Sequence, residues 1–353
     1  MSSTYPIQLP NGRIIGHHHK PFIIAEMSGN HNQSLERAMK IVAAAAQAGA
    51  DAIKLQTYTA DTMTLRGAHT ITDPNSLWYQ YELHDLYKQA YTPWEWHEPL
   101  FRYAASLGLV AFSSPFDETS VDFLEKLDMP IYKIASFENT DHPLLAKIAR
   151  TGKPVIMSTG VASAADITES VAVLRDNGCR QLVLLKCTST YPASPENTNL
   201  RTIPSMQELY ADCIIGLSDH TMGIGAAVAA VALGARVIEK HFTLRRADGG
   251  VDSTFSLEPE ELAALVTETE RAFAALGEVQ YGIQESEKNS LLYKRSIYVA
   301  EDMQAGDVFT TTNLRRIRPA NGLPPKYYEL LLGKKAVRPI TKGTPLTWDM
   351  VLG

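Results

Sequence analysis

The chain has 353 residues, of which 45% are hydrophobic and 20% charged, with a formal net charge of −6. That length accommodates one large domain and a small one, and the acidic balance argues against nucleic-acid and anionic-membrane partners while leaving room for a basic pocket. The three cysteines, Cys179, Cys187 and Cys213, are odd in number and fit no metal-finger spacing, which indicates a reduced compartment.

The N-terminal stretch lacks the apolar core of a signal peptide, and Gly16-His17-His18-His19-Lys20 reads as a solvated turn. From Pro21 onward, short β-branched runs alternate with longer amphipathic ones. The expected strands are Phe22–Met27, Ala52–Thr57, Val110–Ser114, Ile131–Ser136, Val155–Thr159, Leu182–Thr188, Ile214–Asp219 and Val237–Phe242. Helical periods separate most of them. Ser34 is placed to cap a helix with Leu35, Ala38, Met39, Val42 and Ala45 on one face and a stop at Gly49. Ile167, Val171 and Leu174 share the inner face of another, ended by Asn177-Gly178. Ile224 to Leu233 is the most apolar run and is too short to cross a bilayer, so a cytoplasmic protein is expected. Eight strands alternating with helices, without a Gly-x-Gly-x-x-Gly signature, predict an α/β fold of the closed (β/α)8 TIM-barrel type over residues 1–277.

In such a barrel the chemistry gathers at the C-terminal strand ends. The polar residues fall there: Glu26, Lys54 and Gln56, Ser114, Lys133 with Ser136 and Glu138, Ser158, and Lys186 followed by Ser189 and Tyr191. The last two strands end in Gly216-Leu-Ser218-Asp-His220 and Val237-Ile-Glu-Lys-His241, which puts two imidazoles side by side. Paired histidines at adjacent strand ends suit a divalent metal. They also suit two buried histidines satisfied by backbone carbonyls. Lysines inside apolar runs at positions 54 and 133 need an anionic partner. Lysines and hydroxyls together suit a phosphate or phosphorylated carboxylate. The connection from Tyr58 to Tyr91 is long and aromatic, and it forms either a lid or a wall of the pocket.

After Gly277 the pattern changes. Residues 278–292 read as a linker, and 293–353 as a small module of short strands. Two pieces of it echo each other, Met303-Gln-Ala-Gly306-Asp-Val-Phe309 and Ile340-Thr-Lys-Gly343-Thr-Pro-Leu346. Its basic run, Arg315-Arg-Ile-Arg318, reads either as a solvated face or as a reach into a site.

The stretches Glu26-Met-Ser-Gly-Asn-His-Asn32, Phe112-Ser-Ser-Pro-Phe116, Lys133-Ile-Ala-Ser-Phe-Glu138, Lys186-Cys-Thr-Ser-Thr-Tyr-Pro192 and Asp252-Ser-Thr-Phe-Ser-Leu257 resemble the sialic acid synthase family. Within it they are most similar to the pseudaminic acid synthases. Sialic acid synthases proper usually read Ser-Thr-Pro-Phe and Gly-Ser-Gly-Glu at strands three and four. The resemblance covers nearly the whole chain and implies a C-terminal antifreeze-like (SAF, β-clip) domain. It implies condensation of phosphoenolpyruvate with an amino sugar, with release of phosphate by C–O cleavage. A divalent metal, Mn2+ or Mg2+, is implied on His220 and His241, and no organic cofactor. Glu26 would serve acid–base work. Lys54, Ser114, Lys133, Ser136, Ser158 and Ser218 would surround phosphoenolpyruvate, Gln56 and Asp252 would contact the sugar, and Glu138, Ser189 and Tyr191 are further substrate-binding candidates. Ser189 stands where the sialic acid enzymes carry an asparagine. Arg318 matches an arginine lent to the partner subunit, so a domain-swapped homodimer is implied. N-acetylneuraminate or legionaminic acid synthesis by the same chemistry, and a non-catalytic binding protein, are the alternative expectations.

Overall fold

The computed structural model of the chain describes residues 6–352. Eight parallel strands close a barrel: β1 (Phe22–Glu26), β2 (Ala52–Thr57), β3 (Val110–Pro115), β4 (Tyr132–Ile134), β5 (Val155–Ser158), β6 (Leu182–Cys187), β7 (Ile214–Asp219) and β8 (Val237–His241). Each pairs with its neighbours in chain order, and β8 returns to β1 with His241 opposite Glu26. Every residue of these strands is buried or nearly so, as expected of a parallel sheet covered by helices on its outer face. The TIM-barrel expectation is therefore met.

The helices form where periodicity and capping coincide. Ser34 accepts the backbone N–H of Arg37 at the start of helix Leu35–Gln47, and Ala38, Ile41, Val42 and Ala45 are buried against the strands. Gly49, with φ +86°, turns the chain into β2. In helix Ala164–Asp176, Leu174 is fully buried, with Ile167 and Val171 packed beside it. A short antiparallel hairpin, Ile7–Gln8 with Ile14–Ile15, adds Ile7, Leu9 and Ile15 to the barrel core. Arg13 from that hairpin pairs with Asp51 at 2.7 Å, which ties it to the N-terminal end of β2.

Five strands end one residue away from the expected position, and the fourth departs further. The fourth strand was expected over Ile131–Ser136 but spans Tyr132–Ile134, and Ser136–Glu138 forms a tight 3-10 turn. The Ser136 hydroxyl accepts the Gly160 N–H at 3.2 Å, so that position serves a loop contact instead of the strand ladder.

The excursion after β2 has structure of its own. Helices Ala60–Met63 and Leu83–Ala90 flank a short antiparallel ladder in which Thr70 bridges Glu82. Ile71 exchanges bonds with Tyr81 and Gln80 at 2.9 and 2.8 Å. His84 bonds Asp61 at 2.9 Å, which joins the two helices, and the Trp78 indole donates to the Val251 carbonyl at 3.1 Å.

The chain divides after Gly277 into two compact units. The second pairs Ser296–Val299 with Leu314–Ile317 and Lys335–Ala336 with Val351–Leu352, all antiparallel. Its own core holds Ile297, Val299, Met303, Phe309, Leu314, Ile340 and Leu346. The two echoing pieces face one another, Met303 exchanging both backbone bonds with Ile340 at 2.9 Å. Gly306 and Gly343, at φ +91° and +87°, make the equivalent turn in each. Among the described residues, no helix is long and apolar enough to cross a membrane.

Candidate active site

Side chains alternate across a strand, so the register decides which polar residues enter the barrel. Glu26, Lys54, Ser114, Lys133, Ser158, Ser218 and Glu239 turn inward near the C-terminal ends, and all are buried. Deeper in the barrel the wall is tight: a Cβ on Gly216 would lie 2.3 Å from the Val237 carbonyl oxygen.

Within this basin Lys54 Nζ lies 3.0 Å from Glu26 Oε2 and 3.1 Å from Glu239 Oε1, with Ser114 Oγ at 3.5 Å. Lys133 Nζ donates to Ser158 Oγ at 2.7 Å and to the Ile134 carbonyl at 3.0 Å, and sits 3.8 Å from Glu239. Ser218 Oγ donates to the same Glu239 oxygen at 3.3 Å. Two lysines and two carboxylates thus share a site closed to bulk water, where each charge depends on the others. Burial pushes the Glu26 carboxyl up to about 7, against the pull of Lys54. Burial would raise Glu239 too, but Lys133 and Lys54 hold it below the ordinary value. Burial brings Lys133 down to about 8.

Ser136 and Asn139 shape the loop above. Asn139 donates to the carbonyls of Ser158 and Gly160 at 3.3 and 3.0 Å. A Cβ on Gly160 would fall 2.1 Å from Ser189 Oγ and 2.7 Å from Ser136 Oγ, so these hydroxyls crowd its backbone.

His220 and His241 stand at the ends of β7 and β8 with ring centroids 5.4 Å apart. The His220 Nδ1 is 2.9 Å from the Thr188 carbonyl, which can only accept, so Nδ1 carries the proton and Nε2 presents its lone pair. His241 Nδ1 is buried without a partner, and burial with neighbouring cations keeps this imidazole neutral. The Tyr191 ring lies 4.4 Å from that of His220, and Phe255 4.9 Å from that of His241. Burial opposes the charged form of His220, but the neighbouring Cys187 raises that imidazole above its ordinary value, so a cation there would displace a proton. Two imidazoles at adjacent strand ends fit a divalent cation. Among the described residues, a three-ligand group of His and carboxylates occurs instead at Glu82, His84 and Asp85 on the excursion. There Glu82 already accepts the backbone N–H groups of Gly67 and Asp85.

Over the basin opens a cavity of about 500 Å³ bordered by Gln56, Glu138, Ser189, Tyr191, His241 and Asp252. Asp252 accepts from the Ser28 hydroxyl, and burial raises its carboxyl. Burial also pushes Glu138 up to about 7, Lys133 opposing, and one Glu138 oxygen is buried without a partner.

The candidate residues of the first unit thus gather at one end of the barrel. Lys186 does not join them. It turns outward, bonds Thr188 Oγ1 at 2.5 Å and lines a separate cavity with Thr159, Ile167 and Met206. The reason is strand alternation, since Cys187 is the β6 residue that faces His220. For the same reason Lys240 points outward to Asp219 at 2.8 Å. Arg318 is exposed on the second unit. The residue that sequence reasoning left out of its site is Glu239, and its signal was available: a carboxylate inside an apolar strand, like Lys54 and Lys133.

Comparison with known proteins decides what this arrangement belongs to. Residues 41–281 match the NeuB family and residues 294–352 the SAF domain. The chain belongs to the NeuB family. It is 44% identical to a pseudaminic acid synthase of Campylobacter jejuni, over 93% of this chain and 95% of that one. It is 38% identical to an N,N'-diacetyllegionaminic acid synthase of the same species, over 90% and 96%. A crystal structure of N-acetylneuraminic acid synthetase from Leptospira borgpetersenii, in complex with citrate, superposes with a TM-score of 0.72 at 34% identity, over 82% of this chain and 96% of that one. The NeuB-family chain described here is a phosphoenolpyruvate-dependent nonulosonic acid synthase, with the SAF domain expected from its motifs. NeuB enzymes generally use a divalent metal.

Proposed function

We propose that this chain is a pseudaminic acid synthase, joining phosphoenolpyruvate to 2,4-diacetamido-2,4,6-trideoxy-altrose. The observation that carries the reading is the pairing of two different environments: a sealed lysine–serine basin, and a roomy, largely apolar cavity that reaches His241, whose ring lies 5.4 Å from that of His220. An anion as small and highly charged as phosphoenolpyruvate suits the basin, where Lys54 and Lys133 would hold its carboxylate and phosphate and Ser114, Ser136, Ser158 and Ser218 would donate to its oxygens. The sugar suits the cavity, with Gln56, Glu138, Ser189, Tyr191 and Asp252 as its polar contacts. Support for this sugar over its relatives comes from the identities of 44% and 38% and from the strand-end motifs.

C3 of phosphoenolpyruvate forms the new bond to the aldehyde carbon, and the aldehyde oxygen takes up a proton. Water adds at C2, and the C2–O bond then breaks so that phosphate leaves with the bridging oxygen. His220 and His241 would hold Mn2+ or Mg2+, which when bound polarises the aldehyde oxygen. Glu26, poised near neutrality and beside Lys54, suits removal of the proton from the attacking water.

The same reading takes residues 1–277 as the catalytic domain, 278–292 as a linker and 293–353 as the SAF domain. It also takes Arg318 into the partner's site in a domain-swapped homodimer. In support, Arg315, Arg316 and Arg318 are exposed, and among the described residues no carboxylate pairs with them.

Phosphate release from phosphoenolpyruvate tests the reading, measured with and without manganese on the diacetamido-altrose, the legionaminic precursor and N-acetylmannosamine. Metal-dependent turnover strongly favouring the first acceptor is expected. Preference for another would overturn the substrate assignment.

A further inference from the structure

The cavity has two unlike sides. One is the barrel mouth, polar and contiguous with the histidines. The other comes from the excursion after β2 and presents Met63, Ile71, Leu83 and Leu86, continued by Phe116 and Phe137 from the next two loops. Met63, Ile71 and Leu83 are only half-buried, so their apolar surface faces the cavity instead of being spent on the core. Polar exceptions on this side are the hydroxyls of Tyr58 and Tyr87, whereas the Trp78 N–H is already given to Val251.

This side is also held in place. Ile71 sits in the ladder with Tyr81 and Gln80, Leu83 donates to the His69 carbonyl at 3.0 Å, and His84 anchors the following helix to Asp61. Trp78 fastens the tip to the loop beyond β8. A segment with bonds at its base, middle and tip is a wall and not a swinging lid.

The proposed reaction puts the aldehyde carbon at the histidines, which leaves the excursion side of the cavity for the sugar's far end, C6. We propose that Met63, Ile71 and Leu83 are specificity-determining residues that receive the C6 methyl group of a 6-deoxy sugar and discriminate against a C6 hydroxyl. The inference rests on the proposed function, because the altrose acceptor is 6-deoxy and supplies that methyl, which N-acetylmannosamine lacks. A hydroxymethyl group would bring a hydroxyl against carbon and forfeit its hydrogen bonds to water.

The test compares kcat/KM for N-acetylmannosamine and its 6-deoxy analogue, which differ at C6 alone, with the diacetamido-altrose as reference. Wild-type enzyme is expected to favour the 6-deoxy analogue by roughly 10–100-fold. Ile71→Thr and Ile71→Val have the same shape and differ by a hydroxyl. The threonine variant is expected to lower the ratio at least about fivefold, and the valine variant to keep it. Met63→Gln should act as Ile71→Thr does, and Met63→Leu as Ile71→Val. The ratio within one variant cancels any loss of folded protein. An unchanged ratio in both polar variants, in a wild type that prefers the diacetamido-altrose, would overturn the wall alone. A wild type that prefers N-acetylmannosamine would overturn the substrate reading and the wall with it.

Discussion

Lys54 and Glu239 meet at 3.1 Å across β1, although they belong to the second and eighth strands of the barrel. Glu26, on the strand between them, completes the triad at 3.0 Å from Lys54. Closure of the barrel brings the beginning and end of the catalytic unit to one point, and the cation there keeps two buried carboxylates compatible.

Replacing that cation tests the arrangement directly. Lys54→Met leaves Glu26 without its counter-charge and Glu239 with Lys133 alone at 3.8 Å, and should cost about 3–5 kcal/mol of stability. Adding Glu239→Gln to Lys54→Met should return part of that stability in urea unfolding. Neither protein should release phosphate, because the anion has lost its ligand. Recovery of activity by the double variant would show that Lys54 is structural alone.

Gly160→Ala asks how finely the loop hydroxyls are placed. The added methyl must displace both Ser189 and Ser136. A shift of this size should lower kcat/KM roughly 100-fold. The effect on the melting temperature should be small by comparison, since the clash is at the mouth and not in the core. A variant as active as wild type would remove both serines from the site.

Glu138 gives a pH signature. Its carboxyl holds a proton to about 7 in the folded chain, against an ordinary value of 4.5. Below the lower value both states are protonated and the group is neutral to stability. Between the two, the unfolded chain releases its proton first, so stability falls as pH rises and stays reduced above about 7. The loss is on the order of 2–3 kcal/mol. Glu138→Gln should flatten this decline when urea unfolding at pH 5 and pH 8 is compared. An undiminished decline would assign it to other groups, Glu26 first.

Removing either imidazole should abolish metal dependence and turnover together. His220→Ala and His241→Ala are each expected to lower phosphate release at least roughly 1,000-fold. Titration calorimetry with Mn2+ should show the matching loss of binding. Retained Mn2+ affinity in both variants would move the metal elsewhere, with Glu82, His84 and Asp85 the alternative.

Mixing two inactive proteins tests the partner arginine. If Arg318 serves the other subunit, Arg318→Ala and His241→Ala chains should regain about one quarter of wild-type activity after subunit exchange, since half the dimers are mixed and each has one complete site. An arginine acting on its own barrel would give no recovery.

The periodicity of apolar residues is a local property, and it was legible. Eight short runs with helices between them, the cap at Ser34 and the stops at Gly49 and Gly178 announced a barrel and the end of each strand where chemistry would sit. The echo between 303–309 and 340–346 was visible too, and the fold sets its two halves face to face. What sequence could not divide was one side of a strand from the other in detail. Lys54 and Lys186 look alike in the chain, yet one enters the basin and the other leaves it.

Nor could composition decide between lid and wall for the excursion. That depended on bonds between residues far apart in the chain: Trp78 with Val251, His84 with Asp61. The sequence by itself determined the class of fold and the inventory of the site, because burial pattern and residue chemistry are carried locally. Only the tertiary structure decided that Glu239 lies between the two lysines and that Met63, Ile71 and Leu83 line the cavity beside His241. The first relation exists only once closure of the barrel fixes the register of every strand against its neighbours, and the second only once Trp78 and His84 fasten the excursion.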